Sequence, residues 1–536
     1  MDKNLILAFF LAFLVLVSYN ILVTRSVKTP PQPLVEKEVI TDRDSNIKER
    51  AVRQDEMTTA IPFTTSEIRQ EFEKKEVTVD TPLFRGIITN QGGGIKSWEL
   101  KLYKENIEED SPLVNMIPPE GLKRYPFEVS IIDPSSGSEE RFNLSPSKNA
   151  INLEKGEQEE LILSGVSQKG IAIEERLIFS GDSYTVGIEI NVINGSSEPF
   201  NGMLSMNLFG LMETIKKTAR YGHIGPISYI NGEVRREKKK DIEKGKEYRG
   251  TILWAGIEDK YFLSSLLPVA SEGMELKIGT ISNGTILSKL LSPANTLSPQ
   301  ESDTYKFKTY IGPRKMELLK EAGGHLEDAI GFGYFTVIAK PLIFALKLFY
   351  SFLSNYGLAI ILLTVLIKMI FYPLTKHSLT SMKEMQKVQP QLNALKKKYA
   401  NDKERMNKEL MELYKRNKVN PLGGCLPMVL QIPVFIALYN ILYTSIELRH
   451  APFIFWIQDL SAKDPYYVTP LLMGASMIIQ QRMSPSAMDT QQAKMMMFMP
   501  VFFTFLFLKF PSGLVIYWLV NNLLQIGQQY YIQKKS

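Results

Sequence analysis

The stretch IILLTVLIKMIFYPLT, from Ile360 to Thr375, sets one ammonium, Lys368, inside an otherwise apolar segment. A lysine at mid-membrane costs about 2.5–3.5 kcal/mol on insertion scales. Other polar side chains recur in apolar stretches: Thr364 in the same one, Gln431 and Asn440 in another, and Asn521, Asn522 and Gln525 near the C-terminus. Intramembrane groups of this kind face a bundle interior or a wet cavity. As a set they suit a hydrated cavity with Lys368 as its positive centre. Each also has a plainer reading. An interhelical amide bond contributes about 0.6 kcal/mol on average, and Lys368 lies roughly 9 Å from the end of its segment at 1.5 Å per residue, within snorkelling reach of the interface. Spacing alone leaves both readings open.

Other chemistry is missing. His223, His325, His377 and His450 are scattered, and no His/Cys cluster suits a metal. Gly245-Lys246 is followed by Glu247 and lacks the first glycine of a phosphate loop. No nucleophile elbow occurs in a strand-turn-helix setting. Nothing argues for an enzyme or a cofactor. The single cysteine, Cys425, excludes an intrachain disulfide.

Mean hydropathy near zero conceals an uneven chain of 536 residues and net charge +6. Apolar blocks near 20 residues long read as membrane spans. The first, within residues 1–24, is too long for a signal-peptide core and has no small-residue cleavage site after it, so it reads as an uncleaved anchor. Residues 25–76 form a Pro- and charge-rich linker. From residue 77 to 325 the pattern has period two: Ile173, Leu177 and Phe179, then Tyr184, Val186, Ile188 and Ile190, punctuated by Gly181-Asp182 and Asn194-Gly195. That predicts a β-sandwich. Residues 326–355 carry Lys340 and Lys347 seven apart and read as an amphipathic helix on the membrane surface. Further spans are predicted at 356–375, 421–445, 467–482, 496–509 and 513–531, giving a bundle of six transmembrane helices with a short tail at 532–536.

Charge sets the topology. Residues 376–420 hold twelve Lys/Arg against five Asp/Glu, which makes this segment cytoplasmic by the positive-inside rule. The loop at 483–495 and the tail are also basic, whereas the loop at 446–466 is balanced and suits the outside. Both termini are then cytoplasmic and the β-domain lies outside. Within 376–420, Met382, Met385, Val388, Leu392, Leu395 and Tyr399 make a helical stripe, Asn401-Asp402 breaks it, and Met406, Leu410, Leu413 and Tyr414 resume it. A cytoplasmic helical hairpin is expected. Its basic residues, including Lys396, Lys397, Lys398 and Arg405, suit a solvated face that grips anionic lipid or a docking arm for ribosome or nascent chain; charge alone favours the former. Fourteen of the 22 methionines lie from Met369 onward, a density fitting surfaces that repack around varied partners or ordinary apolar filling.

Four stretches, FYPLTKHSLTSMKEMQ, VNPLGGCLPMVLQIPVFIALYNIL, DPYYVTPLLMGASMIIQQRMSP and FMPVFFTFLFLKFPSGLVIYWLVNNL, closely resemble the YidC/Oxa/Alb family of membrane protein insertases. LWAGIEDKYFLSSLLP extends the resemblance into the β-domain, whose size is similar to the Gram-negative form. The resemblance implies a five-helix insertase core around a hydrophilic groove, a periplasmic β-supersandwich like that of sugar mutarotases, and residence in the bacterial inner membrane. It implies no cofactor and no small-molecule substrate. Expected partners are nascent membrane proteins, the Sec translocon, the ribosome and signal recognition particle pathway, and the lipid bilayer. Lys368 matches the position of the family's groove arginine. Thr364, Gln431, Phe435, Met473, Leu506, Tyr517, Trp518 and Asn521 match groove or substrate-contact positions, with Leu506 and Trp518 departing from phenylalanine and tyrosine. Two other functions stay on the table: a secondary transporter using Lys368 and the amides, and a membrane-anchored sugar-acting β-sandwich using His223.

Overall fold

Strict alternation builds the β-domain. Strands Ile171–Ser180 and Thr185–Asn194 bury every second residue and pair antiparallel, with Leu177 opposite Ile188. In the computed structural model the described residues are 74–117, 122, 124–212, 223–281, 284–332, 335–399, 401–417, 419, 426–483 and 490–535. The anchor at 1–24, nearly all of the linker at 25–76, the start of the third expected span and part of the loop at 483–495 lie outside them. Among the described residues the strands form sheets of five, nine and seven strands. Ser302–Pro313 is central in the nine-stranded sheet, between Thr185–Asn194 and Phe262–Pro268; Phe200–Leu211 is central in the seven-stranded one. The sheets share one apolar core. Trp98 ties the five-stranded sheet in: it stacks on Phe84 at 3.9 Å and donates its indole N–H to Ile311 O at 3.1 Å.

The helices are α1 (Lys239–Lys244), α2 (Met316–Ala322), α3 (Thr336–Leu353), α4 (Tyr356–Lys398), α5 (Lys403–Arg416), α6 (Leu426–Thr444), α7 (Val468–Met483), α8 (Thr490–Phe507) and α9 (Ser512–Lys535). The boundary expected at 375/376 falls inside α4, a continuous helix of 43 residues that runs through Pro373 and Pro390. Each proline removes one backbone hydrogen bond. Pro373 lies in the apolar stretch, where the rest of the ladder has no water to turn to, so the helix holds there. Asn355 caps α4 by accepting from Leu358 N, and Asp402 caps α5 by accepting from Arg405 N. Met385, Val388 and Leu392 of α4 pack with Leu413 of α5, giving a helical hairpin. Met382 is only half-buried, Lys397 and Lys398 are exposed, and Lys396 is partly covered. Tyr399 leaves the expected stripe for the turn, where Lys398 and Arg405 lie 5.4 and 5.5 Å from its ring.

Both ends of α3 are tied to one end of the helical bundle. Asn440, one turn from the end of α6, donates to Phe332 O at 2.9 Å, and Asn355 donates to Phe453 O in the α6–α7 loop at 3.0 Å. Lys347 in the middle of α3 bridges Glu317 of α2 and Glu447 of that loop, at 2.9 and 2.8 Å. By length and apolarity α3 and α4 each suffice to cross a membrane, yet these ties hold α3 along the bundle's end. The same end carries the β-domain: Arg449 donates to Lys104 O and Glu105 O at 2.6 and 3.0 Å. The chain leaves the β-domain through a clamp in which Arg236 and Arg314 both donate to Ala329 O, at 2.6 and 2.7 Å.

Candidate functional site

The helix α9 has two different halves. Its first half, Leu514 to Tyr517, is buried in the apolar core of the bundle. Its second half carries Asn521, Gln525 and Gln529 at four-residue spacing, one above another over about 12 Å. Each meets a polar partner. Gln431 Nε2 of α6 donates to Asn521 Oδ1 at 2.7 Å; Lys368 Nζ of α4 donates to Gln525 Oε1 at 2.8 Å; Gln529 Nε2 donates to Met483 O of α7 at 2.6 Å. Asn522, on the neighbouring face, donates to Ser476 Oγ at 3.1 Å. A polar seam therefore joins α4, α6, α7 and α9. The apolar half of α9 separates it from the end that carries the β-domain, where Ser512 Oγ donates to Asp459 O of the α6–α7 loop.

Lys368 is partly buried and has no acidic partner among the described residues; its one recorded acceptor is a neutral amide. A buried ammonium held by an amide stays available to an incoming carboxylate, because its own positive charge is not cancelled. The structure thus brings together Lys368, Gln431 and Asn521 from the expected set. Phe435 and Trp518 meet edge to face at 4.8 Å beside the seam, with Phe507 5.2 Å from the indole. Leu506 is half-buried against the same core. Tyr517 is buried with its hydroxyl facing Gln431, and the Trp518 indole N–H has no hydrogen-bond partner among the described residues.

Thr364 and Met473 are placed differently from an exposed groove wall. Both are fully buried, and the Thr364 hydroxyl is spent on Ile360 O at 2.7 Å, one helical turn back. Sequence reasoning counted Gln525 among the amides of a hydrated cavity without pairing it with Lys368, and it missed Ser476 and Gln529. For Gln529 the signal was available as the four-residue spacing along α9.

The family model described as 60Kd inner membrane protein matches residues 348–536, and the one described as YidC periplasmic domain matches residues 76–345. A membrane protein insertase YidC from Syntrophus aciditrophicus is 40% identical over 554 residues, covering 100% of each chain. Another, from Geobacter sulfurreducens, is 44% identical over 456 residues and 85% of each chain. The chain belongs to the YidC family of membrane protein insertases. A solved structure described as an active YidC insertase with the first transmembrane domain resolved covers 86% of this chain and 93% of its own, at 18% identity and TM-score 0.37, a likeness too low to add weight. In the YidC family's terms, the β-domain is the periplasmic region and the seam lies in the inner-membrane region. The comparisons give the transporter and sugar-acting readings no support. His223, the residue on which the latter relied, is engaged at both ring nitrogens, by Glu258 Oε1 and Glu237 O at 2.9 Å each.

Proposed function

We propose that this chain inserts nascent membrane proteins by receiving their polar, often acidic, leading segments in the seam lined by Lys368, Gln431, Asn521 and Gln525. The supporting observation is the two-part α9: polar along its second half, apolar and closed along the half nearest the β-domain. A segment entering from the open end meets Lys368 and the seam amides and stops short of the far side. Seam amides lower the cost of carrying polar backbone part-way into the membrane. The following apolar segment slides along the outer faces of α6 and α8 into lipid, and its removal from water drives the step. The membrane potential adds about 2.3 kcal/mol per charge per 100 mV. No nucleotide or other cofactor is needed.

In this reading the bundle has six spans, with the anchor at 1–24 as the first and both termini cytoplasmic. The helix α3 lies on the outer surface, in keeping with the ties at both its ends, and the β-domain is periplasmic. The α4–α5 hairpin is cytoplasmic and meets the ribosome, the signal recognition particle pathway or the nascent chain first. The Sec translocon shares some substrates.

The test is photocrosslinking from positions 368, 435 and 506 to a stalled single-span nascent chain in the full-length protein. Crosslinks during insertion are expected from all three, and weaker ones from the buried positions 364 and 473. Insertion without a crosslink from any of them sinks the groove reading.

A further inference from the structure

The α6–α7 loop, residues 445–467, is bonded on every side. Phe453 N donates to Ile457 O at 2.9 Å, Ser512 N to Ala462 O at 2.7 Å and Gly513 N to Leu460 O at 3.0 Å. The buried Asp464 accepts from Thr469 N and Oγ1 at 2.8 Å each, capping α7, and from Trp456 Nε1 at 3.0 Å. A loop held this tightly could turn its apolar side chains inward. It buries Ile446, Leu448, Ile457 and Leu460 but turns a second set outward. Phe455 is 80% exposed and Tyr466 68%, with Ile454 and Tyr467 also open. Phe455 and Tyr467 have φ of +53° and +58°, the left-handed region that bulky residues avoid. In water this arrangement combines backbone strain with exposed aromatic surface, and both are unfavourable.

The patch has internal order. Trp456 stacks on Phe455 at 6.0 Å and meets Tyr466 edge-on at 6.5 Å, while Lys463 Nζ reaches the Tyr467 hydroxyl at 3.3 Å. It also continues into the helical bundle: Leu471 and Leu472, on the first turn of α7, are exposed on the same chain segment. In a membrane protein such an exposed apolar helix face is covered by lipid. Aromatic rings with a lysine at the end of that face have the composition of the interfacial belt, where amphipathic rings sit at headgroup level.

We infer that residues 454–467 form a preorganised aromatic platform that seats in the headgroup layer of the outer leaflet and fixes the depth of the bundle. The lipid bilayer, rather than a protein, is its occupant, because the patch is continuous with the apolar face of α7. This rests on the bundle being embedded in a membrane and is independent of how the Lys368 seam works.

The test uses the full chain in a Cys425→Ser background, which removes its single cysteine, reconstituted in phosphatidylethanolamine/phosphatidylglycerol vesicles. Spin labels are placed one at a time through Phe455→Cys and Tyr466→Cys, with Leu472→Cys as a lipid reference and Asp182→Cys, on an exposed β-turn, as a water reference. Labels at 455 and 466 are expected to lose collision with a water-soluble nickel chelate relative to 182 while keeping collision with oxygen. Their values should lie between those of 182 and 472. If backbone strain makes Phe455→Cys fold poorly, Tyr466→Cys gives the same reading. Nickel collision equal to that at 182 overturns the platform, and so does shielding from both reagents, which would mean a protein covers the patch. A nickel-accessible label at 472 overturns the membrane seating of α7 and the platform with it, and is read separately from the other two positions.

Discussion

The β-domain and the helical bundle treat buried charge in opposite ways. In the β-domain, Glu258 is met by Arg236 at 2.7 Å, Arg314 at 3.0 Å and His223 at 2.9 Å, and burial, which alone would raise its carboxyl, is outweighed so that it is held below the usual range. Glu139 is buried too, and hydrogen bonds from Arg124 together with Lys289 bring it down to about 2. These charges are consumed by one another and their product is a fixed shape. In the bundle, Lys368 is given a neutral amide and no acid among the described residues. A compensated charge is finished once the chain has folded; an uncompensated one leaves a partner for the substrate to supply.

Reversing the uncompensated charge is the strongest way to break this contrast. Lys368→Glu turns an attraction worth about 4 kcal/mol at contact distance near a protein surface into a repulsion, so insertion of acidic-tailed substrates should fall at least about a hundredfold. Lys368→Arg should be tolerated. Equal insertion by Lys368→Glu, measured with reconstituted vesicles, would make the charge incidental. The compensated side is tested through Glu258→Leu. Two arginines are left facing each other without their acid, and removing one partner of a buried charged set costs about 3–5 kcal/mol. The full-length protein should melt earlier in detergent while Lys368-dependent substrate preference stays unchanged. An unaltered melting curve would show that the β-domain cluster is not structural.

Legibility in the sequence followed distance along the chain. The strands Ile171–Ser180 and Thr185–Asn194 were readable because alternation is local. So was the cap at Asp402, three residues from the amide that it accepts. The partner of Lys368 is 157 residues away and that of Lys289 is 150, so no spacing rule could pair them. The membrane boundary expected at 375/376 leaves no mark in the backbone: hydropathy changes near Thr375 while the backbone hydrogen bonding of the helix does not. Thr364 and Met473 show the limit of carrying residues over from a resemblance, which gives positions without saying which way side chains point.

Gln525 sharpens the contrast further. Its amide oxygen holds Lys368 across the seam, and that position depends on the hydrogen bond rather than on charge. Gln525→Leu frees the lysine to snorkel away and forfeits a bond worth about 1.5–3 kcal/mol for a charged donor, so insertion should drop about ten- to a hundredfold. Gln525→Glu keeps the bond and cancels the charge. If availability of the charge matters more than its position, Gln525→Glu should insert acidic-tailed substrates worse than Gln525→Leu. The reverse ranking would mean that position dominates.

The smallest effect comes from a place where the β-domain breaks its own habit. Glu175 occupies an inward position of the strand Ile171–Ser180, buried against Gly93, whose φ of +68° and missing side chain leave the carboxyl its space. Its Oε2 has no hydrogen bond among the described residues, and burial pushes its carboxyl up to about 8. An unfolded glutamate titrates near 4.5. Between those values the folded chain keeps a proton that the unfolded chain has lost, so this contribution to stability is complete below about pH 4.5 and is lost as pH rises towards 8. Glu175→Gln removes the titration while keeping the shape. Compared with that variant, the parent chain should lose melting temperature between about pH 5 and about pH 8. Parallel melting curves across that range would mean that Glu175 is ionised and compensated like its neighbours, and it would then follow the rule that separates the β-domain from the bundle.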